Sequence, residues 1–334
     1  MIVSSPTELL FGDVYFRLDD LLPRHAVHLK LEGFNPGGSI KMKPAIHMIE
    51  DCERRAALRA GMTVVESSSG NLGLALSIVC LAKGYQFICV SDPNISPQTK
   101  RLMEAYGAQV KIVNEHDENG GYLGSRIALI KEMLKTRSDI VWLNQYANEA
   151  NKDAHFKWTA PEILKQFPTL NYLFIGAGTT GTLMGCAEFI RAHSPGTRII
   201  AVDSVGSVTF GGEPGKRYIP GLGTSRRPEL VDPSLPDHII MIPEIETLRM
   251  CRWMAQRHGL LVGGSTGTVL CGVRRHVKML GAEATIVAIS PDFGDRYIDT
   301  LYSDAWVAQR FDNHEAETPM GPASQHARGA VAAV

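Results

Sequence analysis

The sequence predicts an α/β protein with two open, twisted, mainly parallel sheets that carry helices on both faces. Runs rich in Val and Ile alternate with amphipathic runs of helical length along most of the 334 residues. Gly- and Ser-rich loops stand between many of these strands and helices. The βα units are too many for one ordinary sheet, so we expect two α/β domains.

The elements follow from the periodicity of apolar residues. Strands are expected at 26–31, 63–65, 86–90, 109–113, 140–143, 171–175, 198–202, 238–242 and 284–289. Helices are expected to begin near residue 44 and to cover 72–83, 96–106, 122–134, 150–166, 182–193, 245–258 and 268–280.

The break between the domains is expected in the polar segment 144–151. We predict a smaller, mobile N-terminal α/β domain at 1–147 and a C-terminal α/β domain at 148–312. The sequence leaves open whether the first ~35 residues pack with the second domain instead of the first. Residues 313–334 are polar and then Ala/Gly-rich, so that tail is predicted to be disordered.

Composition excludes several partners. The formal net charge is −1 and the basic residues are scattered, which gives no reason to expect nucleic acid or an anionic membrane. The six cysteines form no Cys-x-x-Cys pair and most lie in apolar runs, which is typical of a reducing compartment. No apolar run is long enough for a membrane span, so a cytoplasmic protein is expected. The histidines and cysteines show no metal-ligand spacing, so no metal site is expected.

The segment Asn35 to Lys41 places a lysine at the end of a Gly/Ser turn, between a predicted strand and a predicted helix. A lysine whose pKa shifts on burial can form a Schiff base. The alternative is an ordinary surface lysine beside a turn, which base rates favour for this position taken alone.

Two further loops stand between a strand and a helix. Gly176 to Thr182 offers backbone N–H groups and hydroxyls at a helix N-terminus, which is typical of a phosphate site. It also fits the G-x-G-x-x-G pattern, with Asp203 after the next strand, so a dinucleotide site stays an alternative. Ser67 to Gly73 could bind a carboxylate in the same way, or one serine could simply cap the helix.

Two more loops are ambiguous alone. Residues 263–268 read as a helix N-cap. Residues 220–227 contain Gly221 and Arg226, and they read as either a mobile lid or a surface loop.

Four of the loops, in this order, resemble those of the fold-type II pyridoxal-phosphate (PLP) enzymes, the tryptophan synthase β-like cysteine synthase and cystathionine β-synthase family. The motif Asn-Pro-x-x-Ser-x-Lys is matched at 35–41 and Thr-Ser-Gly-Asn at 68–71. The phosphate motif Gly-Thr-Gly-Gly-Thr is matched at 178–182, and Gly-x-Ser-x-Gly at 263–267. The resemblance covers residues 8 to 310 or so, and it favours the Schiff-base interpretation of Lys41.

Within the family, the chain looks most similar to the N-(2-amino-2-carboxyethyl)-L-glutamate synthases, which make the diaminopropionate precursor of staphyloferrin B-type siderophores. The similar stretches are 120–123, 144–149, 206–211, 220–226 and 302–306. Tyr146 stands where ordinary cysteine synthases usually have Phe, which puts a hydroxyl in the expected acceptor pocket.

The resemblance implies a role for each loop. Lys41 would hold PLP and then act as the base at the substrate Cα, Asn71 would bond the ring oxygen, and Ser265 would face the ring nitrogen. The phosphate would be held by Gly178, Thr179, Thr180, Gly181 and Thr182. The substrate would contact Ser67, Ser68, Ser69, Gln145, Tyr146 and Gly221, with Arg126 and Arg226 as partners of its anionic groups.

The implied reaction is β-replacement on an activated L-serine through an aminoacrylate, here O-phospho-L-serine with L-glutamate. A cysteine synthase that uses sulfide is the first alternative. A non-catalytic relative and an NAD-dependent oxidoreductase follow. The family is usually homodimeric, so a homodimer that acts on small amino acids is expected.

The chain also departs from the family pattern. Asp13-Val14 replace the usual Thr-Pro, and Met42-Lys43 replace the usual Asp-Arg beside the lysine. Gly178 is the residue of sulfhydrylases, whereas the siderophore subgroup tends to have Ser there.

Overall fold

The computed structural model describes residues 2–118 and 120–311. These residues form two compact units. The first unit contains residues up to Phe11 together with Phe34–Ala154, and the second contains Gly12–Gly33 together with the chain from His155 onward. Neither unit is therefore a continuous stretch of sequence. The tail at 313–334, for which we predict disorder, lies outside the described residues.

The described residues form ten strands and ten α-helices. The strands are β1 Tyr15–Leu18, β2 Val27–Leu31, β3 Thr63–Ser67, β4 Gln86–Ser91, β5 Gln109–Ile112, β6 Ile140–Trp142, β7 Tyr172–Gly176, β8 Arg198–Ser204, β9 His238–Ile242 and β10 Ile286–Ser290. The helices are α1 Met42–Arg54, α2 Asn71–Lys83, α3 Pro97–Ala105, α4 Leu123–Thr136, α5 Glu149–Ala154, α6 Ala160–Gln166, α7 Gly181–His193, α8 Glu244–His258, α9 Gly264–His276 and α10 Asp304–Ala308. A π-helical turn, His155–Thr159, joins α5 to α6.

The first unit is built on a four-stranded sheet with the order β5-β4-β3-β6, in which every pairing is parallel. Its core includes Val65, Val90 and Ile130. Because the strands are parallel, the loops that follow β3 and β6 leave the sheet at the same edge. The residues after Ser67 and after Trp142 are thereby brought together.

The second unit contains a six-stranded sheet with the order β1-β2-β10-β7-β8-β9. All of its pairings are parallel except that of β1 with β2. Its core packs Leu29, Phe174 and Ile200 against apolar residues of α8 and α9. The loop after β7 and the start of α9 lie in this unit. The predicted fold class, α/β with two mainly parallel sheets, is confirmed.

Four elements differ from the prediction, one of which is the short helix α10, for which no prediction was made. Strand β1 was not predicted; it is a four-residue strand at the sheet edge, too short to show a clear alternation. The helix predicted at 150–166 is interrupted by the π-helical turn.

The helix expected at 268–280 begins earlier, at Gly264. A Cβ built on Gly264 would lie 2.2 Å from Ile219 Cγ2. Glycine at this position allows the first turn of α9 to pack closely on its neighbour, and this tertiary packing overrides the poor helix propensity of the Gly/Ser/Thr run.

All six cysteines are buried and free. No group of three or more His, Cys, Asp or Glu side chains in the described part of the chain is arranged to hold a metal ion. Among the same residues, no helix combines the length and the apolar character needed to cross a membrane.

Candidate active site

Lys41 follows a closed turn and stands directly before α1. Asn35 Nδ2 donates to the Ser39 carbonyl at 2.9 Å, and Gly38 N donates to the Asn35 carbonyl at 2.9 Å. Gly38 has a φ of +62°, a left-handed conformation that glycine adopts without strain. Lys41 N donates to Ser39 Oγ at 3.3 Å. The Asn and Ser of the lysine motif thus hold the backbone in front of the half-buried Lys41.

The two residues after Lys41, where the chain departs from its family, lie in the core. Met42 is fully buried and Lys43 is only 2% exposed. A Cβ on Gly37 would lie 2.6 Å from Met42 Cγ, so the methionine packs beneath the turn. The departure therefore changes the packing under the lysine rather than a solvent-exposed surface.

The Ser67 to Asn71 loop leads from β3 into α2. Ser68 Oγ accepts hydrogen bonds from Gly73 N at 3.0 Å and Gly70 N at 3.3 Å, so this serine caps the helix. Ser67 Oγ is buried and has no hydrogen-bond partner among the described residues. Ser69 and Asn71 are half-buried at the helix N-terminus. The loop thus keeps polar groups beyond those needed for capping.

Gln145, which we expect in the substrate site, lies beside this loop. Its Nε2 donates to the Ser67 carbonyl at 3.0 Å, and its own carbonyl accepts from Asn151 Nδ2 at 2.8 Å. Asn144, directly before it, has a φ of +52°, which turns the chain sharply after β6. Tyr146 is half-buried. The first unit therefore brings together Ser67, Ser68, Ser69, Asn71 and Gln145.

A buried carboxylate that the motif analysis missed lies under this loop. Glu66 is 1% exposed, and it accepts hydrogen bonds from Ser67 N at 2.7 Å, Gln145 N at 3.2 Å and Trp142 Nε1 at 3.3 Å. Burial raises the pKa of Glu66 to about 7, although these donors and the nearby Arg126 favour the charged form. The available sequence signal was an acidic residue at the end of an otherwise apolar strand.

The two predicted arginine contacts have different surroundings. Arg126 is 8% exposed, and its Nη1 lies 3.3 Å from Oδ2 of the buried Asp92. Arg126 Nε is buried without a hydrogen-bond partner in the described chain. Arg226 is exposed and forms an ion pair with Glu229, three residues later.

In the second unit, Gly178 to Thr182 join the end of β7 to the start of α7. Thr180 has a φ of +67° and is 2% exposed, and its Oγ1 has no hydrogen-bond partner among the residues that the structure describes. A Cβ on Gly178 would lie 3.0 Å from the Gly221 carbonyl. The loop is therefore a tight cradle at a helix N-terminus with a buried hydroxyl to donate, which suits a phosphate.

His155 supports this cradle and was not singled out from the sequence. It is fully buried in the π-helical turn, with Nε2 3.1 Å from Thr182 Oγ1 and Nδ1 3.0 Å from Thr159 Oγ1. The imidazole orients the Thr182 hydroxyl. Its helical segment gave no sign of the π-helical turn that directs it there.

Ser265 lies close to the cradle through the loop that contains Gly221. Ser265 is 4% exposed in the first turn of α9, and a Cβ on Gly221 would lie 3.4 Å from Ser265 Cβ. Gly223 N donates to the Ala177 carbonyl at 2.9 Å, which ties the loop to the residue before Gly178. The second unit therefore brings Gly178, Gly221 and Ser265 together.

Asp203, which suggested a dinucleotide site, does not present a free carboxylate. It is fully buried, and its Oδ1 accepts from Ser204 N at 2.7 Å. Burial raises its pKa to about 6. A ribose would need an accessible acid here, so the structure offers nothing for the dinucleotide interpretation.

These residues fit PLP. In the first unit, Lys41 provides an amine and the loop that starts at Ser67 provides polar groups at a helix N-terminus. In the second unit, the loop 178–182 is a phosphate cradle whose buried Thr180 hydroxyl has no partner among the described residues, and Ser265 is a neutral side chain near it. They define the class of proteins that hold a phosphorylated aldehyde on a lysine. The chain belongs to the pyridoxal-phosphate dependent enzyme family, whose model matches residues 14–292. PLP is therefore its cofactor.

Solved structures support this assignment. The chain is similar to an O-ureido-L-serine synthase, with 31% identity, 92% of this chain and 100% of that chain covered, and a TM-score of 0.84. It is also similar to a hydrogen sulfide-producing enzyme from Fusobacterium nucleatum (27%; 89% and 98% covered; TM-score 0.83). A third is an O-acetylserine-dependent cystathionine β-synthase from Helicobacter pylori (29%; 90% and 98% covered; TM-score 0.82).

Proposed function

We propose that the chain catalyses PLP-dependent β-replacement on an activated L-serine, namely O-phospho-L-serine with L-glutamate. The products are N-(2-amino-2-carboxyethyl)-L-glutamate and phosphate. The observation that carries the proposal is the bond from Gln145 Nε2 to the Ser67 carbonyl, 3.0 Å long, which builds a site for an amino-acid carboxylate from two loops. The structural neighbours named for serine derivatives support the same reaction class.

In this proposal each residue has one task. Ser69 and Gln145 bind and orient the substrate carboxylate beside the N-terminus of α2, and Asn71 would hold the ring oxygen of PLP. Bound PLP supplies an electron sink that acidifies the substrate Cα–H. Lys41 Nζ removes that proton, after which the group on Cβ leaves and the nucleophile adds there. A neutral Ser265 at the ring nitrogen suits elimination better than transamination.

The choice of O-phosphoserine rests on the arginines. A dianionic leaving group calls for a guanidinium partner. Arg226 is exposed on the loop that follows Gly221, so it can exchange Glu229 for a substrate at little cost. Arg126 is nearly buried with Asp92, so a direct contact with phosphate would require that guanidinium to be shared.

The choice of glutamate rests on the resemblance described above and on Tyr146, whose half-buried side chain follows Gln145 directly. Its hydroxyl can donate to a carboxylate of the acceptor, which a phenylalanine cannot.

A cysteine synthase is the second candidate, and Gly178 favours it. A serine at this position would bring its Cβ within 3.0 Å of the Gly221 carbonyl, so this loop is built for glycine, the sulfhydrylase residue. The hydrogen sulfide-producing neighbour is consistent with sulfur chemistry on this fold.

The test is product analysis by mass spectrometry with the purified holoenzyme. O-phosphoserine and O-acetylserine are each combined with L-glutamate, sulfide, homocysteine and hydroxyurea. We expect the glutamate adduct from O-phosphoserine to form fastest. Cysteine as the main product would replace the proposal with the sulfhydrylase.

A matched variant tests the role of the lysine. Lys41→Ala should abolish turnover and prevent borohydride from fixing the cofactor to the chain, whereas Lys43→Met should retain the borohydride adduct. A wild-type chain that yields no product from any pair, while binding PLP on Lys41, would instead favour a non-catalytic relative. A homodimer, checked by light scattering, and a cytoplasmic location complete the proposal.

A further inference from the structure

We propose that Glu66 is a positioning residue. It holds the two halves of the substrate-carboxylate site, the Ser67 loop and the Gln145 turn, at a fixed distance from each other. The inference rests on the proposed function, because it names the device that keeps that function's carboxylate site in shape. Glu66 contacts neither the substrate nor the cofactor in this proposal, so its role is distinct from that of Lys41.

The geometry provides the first argument. One carboxylate bridges two loops: Oε1 accepts from Ser67 N at 2.7 Å, and Oε2 accepts from Gln145 N at 3.2 Å. Trp142 Nε1, at the end of β6, adds a third donor to Oε1 at 3.3 Å. The Gln145 side chain links the same two residues a second time, because its Nε2 donates to the Ser67 carbonyl. Glu66 therefore holds together the backbone of the two segments that carry Ser69 and Gln145, the residues proposed to bind the substrate carboxylate.

The hydrogen-bond count favours the ionised form. Three N–H groups point at the two oxygens, and a carboxylate accepts all of them without a proton of its own to place. A protonated Glu66 would need an acceptor for its O–H, and these three partners are all donors. The bridge is therefore tight when Glu66 is charged and looser when it is neutral.

The surrounding charges set where this change occurs. Arg126 from α4 faces Glu66 and stabilises its charge, whereas Asp92 and the Cys89 thiol lie on the side of β4. Burial raises the pKa of Cys89 to about 12, so this thiol stays neutral, and burial raises the pKa of Glu66 to about 7. Substrate affinity should therefore fall as the pH drops through about 7.

The test compares Glu66→Gln with Trp142→Phe and with the control Glu53→Gln. Glutamine keeps one oxygen but turns an NH₂ group toward one of the two backbone donors, so it breaks half of the bridge. Phenylalanine removes only the third donor. Glu53 is also a hydrogen-bonded carboxylate of the first unit, but its partners are Lys83 and Tyr85. Thermal unfolding verifies that all three variants fold.

The first readout is the dissociation constant of L-serine from the holoenzyme, followed by the visible absorbance of the cofactor between pH 5.5 and 8.5. The amine of L-serine starts to titrate at the upper end of this range, and this contribution is the same in every variant, so the effect of Glu66 is measured as the difference between variants. At pH 8 we expect Glu66→Gln to bind about tenfold more weakly, as for the loss of a charge-assisted hydrogen bond, and Trp142→Phe two- to threefold more weakly. In wild type and in Glu53→Gln, affinity should show an additional fall as the pH drops through about 7, and in Glu66→Gln this additional fall should be absent, which leaves only the dependence that the amine of L-serine contributes.

The second readout needs no substrate. In ¹⁵N-tryptophan-labelled holoenzyme, the indole signal lost in Trp142→Phe should shift with a midpoint near pH 7 in wild type, and should not titrate in Glu66→Gln. Wild-type affinity and pH dependence in Glu66→Gln would overturn the proposal, as would a wild-type indole signal that does not titrate. Failure of the proposed reaction would appear separately, as no product from any donor and acceptor pair while both binding and indole readouts behave as expected.

Discussion

A buried hydroxyl without a partner destabilises a folded chain, and Thr180 is such a residue in the phosphate cradle. It is 2% exposed, has a φ of +67°, and its Oγ1 has no hydrogen-bond partner in the described part of the chain. Leaving a polar group in this state costs about 1–3 kcal/mol. A phosphate oxygen would remove that cost, so the strain and the missing partner have one explanation in the cofactor.

Thr180→Val should therefore have opposite effects in the loaded and the unloaded protein. Valine keeps the shape and the β-branching but removes the hydroxyl. PLP affinity should fall at least about tenfold, as for the loss of a hydrogen bond to a charged group. The free energy of unfolding of the cofactor-free protein should stay the same or rise by about 1 kcal/mol. Fluorescence titration with PLP and urea unfolding measure the two effects.

The control for this prediction is Thr180→Ser, which restores the hydroxyl and should bind PLP within about threefold of wild type. If Val and Ser bind PLP equally well, the hydroxyl does not contact the phosphate. In that case Thr180 would serve only the backbone conformation of the loop.

At the scale of the element, the join between α5 and α6 determines where a buried imidazole points. A π-helical turn inserts one extra residue per turn and shifts the phase of the following helix, often at a functional site. Here His155 is placed between Thr159 and Thr182. The turn therefore connects a helix interior to the phosphate cradle of the same unit.

His155→Phe should destabilise the protein and weaken cofactor binding together. The ring volume is similar, but the fully buried Thr159 hydroxyl loses its hydrogen bond to the imidazole and Thr182 is no longer oriented. The free energy of unfolding should drop by about 1–3 kcal/mol, and the increase in melting temperature on adding PLP should shrink. Calorimetry with and without PLP measures both effects.

The matched control is His193→Phe at the exposed end of α7, where the imidazole stacks on Phe189. It should change neither quantity appreciably. An unaltered PLP shift in His155→Phe would show that Thr182 finds its orientation without the imidazole.

Most elements could be predicted because their apolar periodicity is set by burial on one face or on both. Strands such as β4 and β8 are nearly continuous runs of apolar residues, the pattern of a parallel strand covered on both sides. The start of α9 and the π-helical turn could not be predicted in this way. Both depend on tertiary contacts: that of Gly264 with Ile219, and those of His155 with its two threonines.

The residues of the candidate site fall into the same two groups, those predictable from local sequence and those that depend on tertiary contacts. Residues in loops with a fixed chemical pattern, such as Lys41, Asn71 and Thr180, could be chosen from the sequence because glycines and hydroxyls at those spacings have few other uses. Glu66 and His155 could not, because each acts through partners distant in sequence. Their chemistry appears only once the strands and helices are assembled.

At the scale of the whole molecule, neither unit can be cut out as a single stretch. Residues 12–33 leave the first unit's sequence and contribute β1 and β2 to the sheet of the second. Strand β2 pairs with β10 in parallel, so the beginning and the end of the described chain meet in one sheet. Interactions within the second unit must therefore hold this N-terminal segment in the sheet.

A buried ionic cluster of Lys30, Glu32 and Glu162 provides such an interaction. Lys30 is fully buried in β2, and its Nζ lies 2.8 Å from Glu32 Oε1 and 2.9 Å from Glu162 Oε2. The Gly12 carbonyl accepts from the same amine, and the Tyr15 ring lies 5.4 Å away. The two carboxylates outweigh burial and raise the pKa of Lys30. The cluster joins the N-terminal segment to α6 within the second unit.

Replacing Lys30 alone should therefore destabilise this unit more than replacing Lys30 and Glu32 together. Lys30→Met removes the ammonium group 2.8 Å from the buried Glu32 carboxylate, and this broken buried ion pair should lower the free energy of unfolding by about 3–5 kcal/mol. Adding Glu32→Met should recover most of that loss, because an apolar pair of similar volume is often as stable as a buried ion pair. Glu162 retains 29% side-chain exposure and can turn to water, so it needs no third substitution.

Urea unfolding of the cofactor-free single and double variants, with Arg17→Met as a control for an exposed ion pair, measures the difference. A double variant no more stable than Lys30→Met would mean that the ammonium group itself, through Gly12 and Tyr15, holds the segment in the sheet.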